Sequence, residues 1–414
     1  MLLLYNILSS IAVLLYLPWI LLKKGPENRR EFIRERLGIA EYSKTDIWVH
    51  AVSVGEIIAS VPFLKTLKQE FPRKKITVST TTYTGQKIAR ESFPEADRIM
   101  YIPVDTACCV KKVVNILRPE IFVSVETELW PMLFHSLKDN GSKLVTLNGR
   151  ISNDSFKGYK RIKSLLKWLL PNIDFFYMQD EEYASRIIKL GAARDKVGVM
   201  GSFKFDIDMK ESGNLPWLEK IKGDILLAAS THKGEEGIVL DAYNIIKRDV
   251  PELKLIIAPR HPERFDEVAE LIKGSDLEYI RRSNIEDPAA EGHDIILMDT
   301  IGELSRAFSN ISITFIGGSL VPVGGHNILE PAYWSKPIIF GPYMDNFPIH
   351  AEFMERSAAL QIKGPEDMAK TVIELLNDRT KSDSMGRNAK EIVEKNRGAV
   401  KKAVELIRSF IGTV

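Results

Sequence analysis

The sequence is poor in the features that anchor small secreted domains or metal sites. It has two cysteines in 414 residues, Cys108 and Cys109, and they are adjacent. Adjacent cysteines rarely pair, and no CxxC or Cys/His ligand spacing occurs, so a disulfide framework and a structural zinc are excluded and a reducing compartment is expected. Net charge is only +2, which argues against nucleic acid as a partner. Neither GxGxxG nor GxxxxGK[ST] occurs, so a dinucleotide fingerprint and a P-loop are both missing. No low-complexity tract or internal repeat is visible. Long apolar runs are absent too, with one exception.

That exception is residues 2–22, LLLYNILSSIAVLLYLPWILL, followed by Lys23 and Lys24. The run carries no charge, and at about 1.5 Å per residue it reaches about 30 Å, the thickness of a bilayer's hydrocarbon. A cleaved signal peptide is the competing reading, but no basic n-region and no A-x-A site are present. An uncleaved anchor is therefore expected over 1–22, with Trp19 at the interface and a surface-lying helix as the alternative. The basic flank follows the run, so the rest of the chain is expected on the cytoplasmic side. Residues 23–36, KKGPENRREFIRER, hold six basic and three acidic side chains. A solvated helical face would explain them; beside an anchor, contact with anionic head groups is favoured.

Beyond residue 45 short β-branched runs alternate with amphipathic stretches. IWVHAV (47–52), KITVSTT (75–81), RIMYIP (98–103), IFVSVE (121–126), KLVTLNG (143–149) and FFYMQ (175–179) predict strands. The pattern stops near 208, and residues 209–223 predict a linker. It resumes with DILLAAS (224–230), KLIIAPR (254–260), LEYIRR (277–282), DIILMD (294–299), ISITFIGG (311–318) and KPIIFG (336–341), before closing helices over 366–377 and 383–410. Alternation of this kind predicts an α/β chain of two doubly wound halves, 23–208 and 224–395, with 396–414 as a closing helix. Ligands of such sheets bind at the strands' carboxyl ends, and with two halves the expected site is the cleft between them.

Polar groups gather where those strands should end. In GGSLVPVGGHNILEPA, two glycine pairs, Gly317-Gly318 and Gly324-Gly325, lead into His326, Asn327 and a helix start. Glycines bring backbone N–H groups to an anion, and Glu330 can accept hydroxyl hydrogen bonds from a ribose. A tight turn needs less than this, so nucleotide binding is predicted. APRHPERF (258–265) puts Arg260 and His261 at a strand end, where a guanidinium suits phosphate. ASTHKGEE (229–236) repeats the device, and IGELSRAF (301–308) adds Gly302 and Glu303. In the first half SVGE places Glu56 at a strand-to-helix junction, and SVETELWP follows a strand with Glu126 and Glu128. Which of the two acids faces the site is open. LNGRISNDSFKGYKRIKSLLKWLL (147–170) has six basic residues and one acid, a solvated helix or a face for an anionic amphiphile. GSFKFDID (201–208) holds Lys204 and a DxD, Asp206-x-Asp208; metal binding there is disfavoured by its distance from the glycine-rich loop, and Lys204 is expected to meet the site's charge.

Together SVGE, SVETELWP, NGRIS, KFD, PRHPERF and GGHNILEPA, in this order, resemble the Kdo transferases that act on lipid A precursors. The resemblance covers nearly the whole chain. It implies a GT-B fold of two Rossmann-like domains, a CMP-Kdo donor and a lipid A precursor as acceptor. It further implies inverting, metal-independent transfer without a cofactor, at the cytoplasmic face of the inner membrane. By position Glu56 matches the family's general base, and Glu126 and Lys204 its transition-state stabilisers. Pro259-Arg260-His261, Ile301-Gly302-Glu303 and Asn327-Ile328-Leu329-Glu330 match its CMP-binding segments. One departure stands out: Gly201-Ser202 occupies the place where Gly-Asn is expected. Another GT-B glycosyltransferase, a sugar-nucleotide epimerase or an anchored nucleotide-binding protein are the alternatives.

Overall fold

The computed structural model describes residues 2–22, 29–206, 215–275, 277–285 and 293–411; for 16–22 only the backbone is described. The chain forms two compact units, 1–206 with 396–414, and 207–395.

The first unit carries a seven-stranded parallel sheet: β1 (Ile47–His50), β2 (Ile76–Thr80), β3 (Arg98–Tyr101), β4 (Ile121–Val125), β5 (Lys143–Gly149), β6 (Phe175–Met178) and β7 (Val197–Val199). Their order is β3-β2-β1-β4-β5-β6-β7. Its helices are α1 (Leu2–Leu22), α2 (Arg29–Arg36), α3 (Val54–Glu70), α4 (Tyr83–Ser92), α5 (Ala107–Leu117), α6 (Pro131–Asp139), α7 (Asn153–Arg161), α8 (Lys163–Leu169) and α9 (Glu181–Leu190). Every residue of β1, β2 and β4 is buried, the signature of a parallel sheet covered on both faces. One face packs on α3 and α4 through Phe63, Leu67 and Ala89; the other packs on α5, α6, α8 and α9 through Val113, Leu133, Leu169 and Ile187.

The second unit repeats the design. It opens with α10 (Pro216–Glu219), followed by strands β8 (Ile225–Thr231), β9 (Lys254–Pro259), β10 (Tyr279–Arg281), β11 (Ile295–Leu297), β12 (Ile313–Ile316), β13 (Ile338–Phe340) and β14 (Ala359–Gln361). These run parallel in the order β10-β11-β9-β8-β12-β13-β14. The remaining helices are α11 (Glu235–Asp249), α12 (Phe265–Lys273), α13 (Leu304–Ala307), α14 (Leu329–Tyr333), α15 (His350–Glu355), α16 (Pro365–Asn377), α17 (Arg379–Asn396) and α18 (Ala399–Ile411), the last returning to the first unit.

All twelve expected strands form. The edge strands β7 and β14 were not anticipated, because three residues show no period. The expected continuous helix over 383–410 is two helices, broken at Gly398, whose φ is +104°. Asp206 enforces the break. Its carboxylate accepts from Gly398 N and Val400 N, both at 2.6 Å, and so caps α18. α18 then buries Ala403, Val404 and Ile407 against the first unit's core. The expected linker is only partly visible, since 209–214 lie outside the described residues; Leu215, Trp217, Leu218 and Ile221 are packed into the second unit instead. The apolar N-terminal run forms α1. Among the described residues, however, no helix is long and apolar enough to cross a membrane.

Asp206 thus has a structural duty that its place in a DxD string concealed. Asp206→Ala is expected to lower the unfolding free energy by about 2 kcal/mol, with or without divalent ions, because two amides lose their acceptor. Chemical denaturation measures it; stabilisation of the native chain by added divalent ions would restore a metal role.

Candidate active site

In the first unit the site is assembled where β1 and β4, paired in register from Ile47↔Ile121 to His50↔Ser124, end side by side. Ser53 caps α3, accepting from Glu56 N at 3.3 Å. The Glu56 carboxylate reaches back, accepting from Val52 N at 2.7 Å and from Ser53 Oγ at 2.8 Å. This is a variant of the capping box, in which the acid reaches the Val52 amide just before the cap, and it fixes the acid at the carboxyl edge of the sheet. It answers why a carboxylate stands there: the helix start needs it, whatever else it does.

One strand over, Glu126 follows β4 with φ of +59°, and Asn148 near the end of β5 has φ of +56°. Such backbone costs a residue with a Cβ about 1–2 kcal/mol. Glu126 is held there because its N–H donates to Leu147 O at 2.9 Å. Asn148 Oδ1 accepts from Phe203 N at 3.0 Å, which brings the 3-10 turn Phe203–Phe205, and with it Lys204, to the same edge. Ser202 caps that turn, its hydroxyl accepting from Lys204 N at 3.4 Å. An asparagine could cap in the same way, so the departure at 202 leaves the turn intact.

The electrostatics of this edge are unusual. Burial pushes the Glu126 carboxyl up, as does Glu56, while Arg150 and Lys204 pull it down. Burial lowers Lys204, and the Glu126 charge opposes that. Glu128 is pushed up to about 7, first by burial and then by Glu56 and Glu126. Three carboxylates and two cations therefore interact in a partly dry setting, where like charges cannot all ionise freely. Glu126 and Glu128 both feel the Glu56 charge, Glu128 also that of Glu126. Glu128 belongs to the cluster, and its spacing of two from Glu126 was the available signal.

In the second unit the loops after β8, β9, β11 and β12 open at one edge. Pro259 ends β9; Arg260 and His261 beyond it are exposed, with Arg260 N donating to Thr231 O at 3.0 Å. The His261 ring lies 5.2 Å from that of His232, and His232 Nε2 meets His326 Nε2 at 2.7 Å. Burial lowers His326 to about 4, helped by His232 and Arg260, so its imidazole is neutral at pH 7; burial also lowers His232. Gly318 makes room for them: a Cβ there would stand 3.1 Å from His326. Asn327 Nδ2 donates to Glu330 Oε1 at 2.9 Å, and Asn327 Oδ1 accepts from Leu329 N at 3.0 Å. Ile328 and Leu329 are core side chains and can offer a ligand only backbone. After β11, Ile301 is exposed, Gly302 has φ of +88°, and Glu303 is gripped by both Arg282 nitrogens at 2.9 and 3.0 Å. Burial works to raise Glu303, but the Thr300 hydroxyl and Arg282 outweigh it and hold the carboxyl low.

One expectation is corrected. The first glycine pair does not offer its N–H groups to a ligand. Gly317 N donates to Ala229 O at 2.8 Å, and buried Glu235 takes Gly318 N at 2.6 Å together with Ser319 N at 3.0 Å, Leu320 N at 2.9 Å and His232 N at 2.9 Å. A strand-end nest that could bind phosphate is filled from within. What remains for an anion is Arg260, the imidazoles and the Asn327 loop. Among the described residues no three His, Cys, Asp or Glu side chains are grouped to hold a metal; Asp206 caps α18, and Asp208 lies outside the described residues.

A family model described as 3-deoxy-D-manno-octulosonic-acid transferase (kdotransferase) matches residues 31–207. The 3-deoxy-D-manno-octulosonic acid transferase of Haemophilus influenzae is 34% identical over 372 residues, covering 88% of this chain and 87% of that protein. The chain belongs to the Kdo transferase family. The chain is also 36% identical over 394 residues to a bifunctional glycosyltransferase/methyltransferase of Fusobacterium nucleatum; the match covers 92% of this chain and 60% of that protein's length. Among solved structures, the chain aligns with a UDP-GlcNAc 2-epimerase from Neisseria meningitidis at a TM-score of 0.58 and 13% identity, over 88% of this chain and all of that one. That likeness concerns the fold, two parallel-sheet α/β units resembling those of GT-B glycosyltransferases.

The chain tolerates Glu128 at some expense of stability, and the sign is testable. The unfolded carboxyl ionises near 4.5, the folded one near 7. Between these values the native state holds the extra proton, so stability falls as pH rises. Glu128→Gln is expected to be more stable than the parent at pH 8, by about 2 kcal/mol after allowance for solvent screening, and to lose that advantage at pH 4. Denaturation at the two pH values decides; an equal offset at both removes Glu128 from the coupled cluster.

Proposed function

We propose that this chain transfers Kdo from CMP-Kdo to a hydroxyl of a lipid A precursor, with inversion, as a step of lipopolysaccharide assembly on the cytoplasmic face of a bacterial inner membrane. The observation that carries the reading is the position of Glu56. Its carboxylate is fixed by Val52 N and Ser53 Oγ at the carboxyl edge of a parallel sheet, beside Glu126 and Glu128. The relatives, 3-deoxy-D-manno-octulosonic acid transferases, supply the sugar.

In this reading the acceptor O–H proton passes to Glu56 as the new C–O bond forms at the anomeric carbon. The bond from that carbon to the donor phosphate breaks, and CMP leaves with the electron pair. Arg260 and the Asn327–Glu330 segment answer the leaving charge, with Pro259, His261, Ile301, Gly302 and Glu303 shaping the cytidylate site. Glu126 and Lys204, desolvated and mutually attracted, stabilise the sugar's transition state. Basic side chains carry the charge work, so no divalent cation or cofactor is assigned. The apolar run 2–22 and its basic flank keep the enzyme at the lipid that bears its acceptor. An epimerase reading has no use for that run.

Glu56→Gln separates chemistry from folding, because glutamine serves a capping box as glutamate does. The variant is expected to keep its stability and CMP affinity and to lose transfer by about 10²–10⁴-fold, as a missing general base requires. Mass analysis of a lipid A precursor incubated with CMP-Kdo reads the product. Undiminished turnover would remove Glu56 from the mechanism, and abolition of transfer by EDTA with rescue by a divalent ion would overturn the metal-free reading.

A further inference from the structure

The first turn of α1 is built into the first unit. Helix α5 has no capping side chain of its own at Thr106, and α6 has none at Trp130. Both are completed from outside. Asn6 Oδ1 accepts from Ala107 N at 2.7 Å, capping α5. Buried Asp105 accepts from Met132 N at 3.2 Å and Leu133 N at 2.8 Å, capping α6, and also accepts from Tyr5 Oη–H at 2.8 Å. Leu2 and Tyr5 pack on the core cluster that contains Val113, Met132 and Leu133. The half-buried positions 2, 5, 6, 9, 10 and 13 form one face of the helix, and its polar residues Asn6, Ser9 and Ser10 are all on it.

Over residues 3–15 the opposite face is wholly apolar and open. Leu4, Ile7, Leu8, Ile11, Leu14 and Leu15 follow one another at helical spacing and are 47% to 77% exposed. A stripe of this length is far larger than a monomeric surface ordinarily leaves in water. Its neighbourhood is cationic. α1 packs on α6 and α6 on α8, and the α7–α8 segment exposes Lys157, Lys160, Arg161, Lys163 and Lys167. Only Lys157 of these has an acidic partner among the described residues, the exposed Asp154.

A spanning helix must deliver its first turn to the far side of about 30 Å of hydrocarbon and show lipid an apolar surface all round. Here the first turn is hydrogen-bonded to the globular body, and the polar face is turned toward that body. We infer that α1 lies in the plane of an anionic lipid surface instead of crossing it, with its Leu/Ile stripe sunk among the acyl chains and the α7–α8 cations on the head groups. The occupant of the open face is the bilayer. The inference rests on the membrane association proposed above and fixes its geometry, so that both ends of α1 stay on the side of the catalytic units. The nearby basic segment leads directly from the end of β5, at the edge that carries Glu126, and a lipid acceptor would reach the site without leaving the surface.

The test uses the full chain with a Gly-Ser-Cys extension at its N-terminus, in sealed inverted inner-membrane vesicles, with native Cys108 and Cys109 replaced by serine. A membrane-impermeant maleimide is expected to label the extension without detergent. Protection until detergent is added would mean a spanning helix and overturn the inference while leaving membrane association intact. In flotation with phosphatidylglycerol vesicles, Leu4→Glu, Leu8→Glu and Leu15→Glu are each expected to weaken binding about tenfold, as loss of a buried leucine requires. Lys160→Glu, Lys163→Glu and Lys167→Glu are each expected to weaken it at least about fivefold, an effect that fades in high salt. Unchanged CMP affinity shows that these variants are folded. Failure of the parent chain to float would sink membrane association and this inference together. A stable dimer that the Leu→Glu changes dissociate, without vesicle binding, would assign the stripe to a second copy and overturn it.

Discussion

A parallel sheet buried on both faces leaves only its edges for chemistry, and this constraint organises both units. The central strands β1, β4, β8 and β9 have almost no exposed residue, so no catalytic group can stand on a sheet face. Parallel pairing sends every strand's carboxyl end to the same edge. Loops distant in sequence, such as 51–56 and 126–128, or 231–236, 259–261 and 317–327, are thereby set beside one another without a dedicated scaffold.

Backbone amides at such edges demand acceptors, and this chain supplies them with carboxylates. Glu56 completes its own capping box, Asp206 caps α18, Asp105 caps α6, and Glu235 fills the nest after β12. The same chemistry serves structure at all four positions and, in our reading, catalysis as well at Glu56. What separates Glu56 from the rest is company. Glu235 is fully buried and spends its oxygens on four amides, whereas Glu56 is half-buried next to Glu126 and Glu128, whose carboxyls it pushes up. A site that holds like charges close together in a partly dry setting gives up stability for reactivity.

Much of this was legible in the chain. Strand runs rich in Val, Ile and Phe announced twelve of fourteen strands, because burial on both faces leaves continuous apolar segments. The SxxE spacing at 53–56 and the placement of Arg260 and His261 after an apolar run marked strand ends directly. Short edge strands were illegible, since a three-residue segment carries no period. The duty of Asp206 was illegible for a different reason. DxD is a local string, but its acceptor duty toward Gly398 and Val400 lies 192 and 194 residues away. Glu235 was quoted in its motif yet given no role, because nothing local says that Gly318, Ser319 and Leu320 would point their amides at it.

The sequence by itself determined the fold class, the two-unit plan, the family motifs and the strand ends at which the candidate site residues gather, because local periodicity and strand-end residues follow from short-range physics. Only the tertiary structure decided which carboxylates are consumed as caps, that Glu128 joins the acidic cluster, that α18 returns to the first unit, and that the first turn of α1 is fastened to Asp105 and Ala107. Each of these depends on a hydrogen bond or a charge interaction between segments far apart in the chain, and such pairings are fixed by packing, which no local pattern encodes.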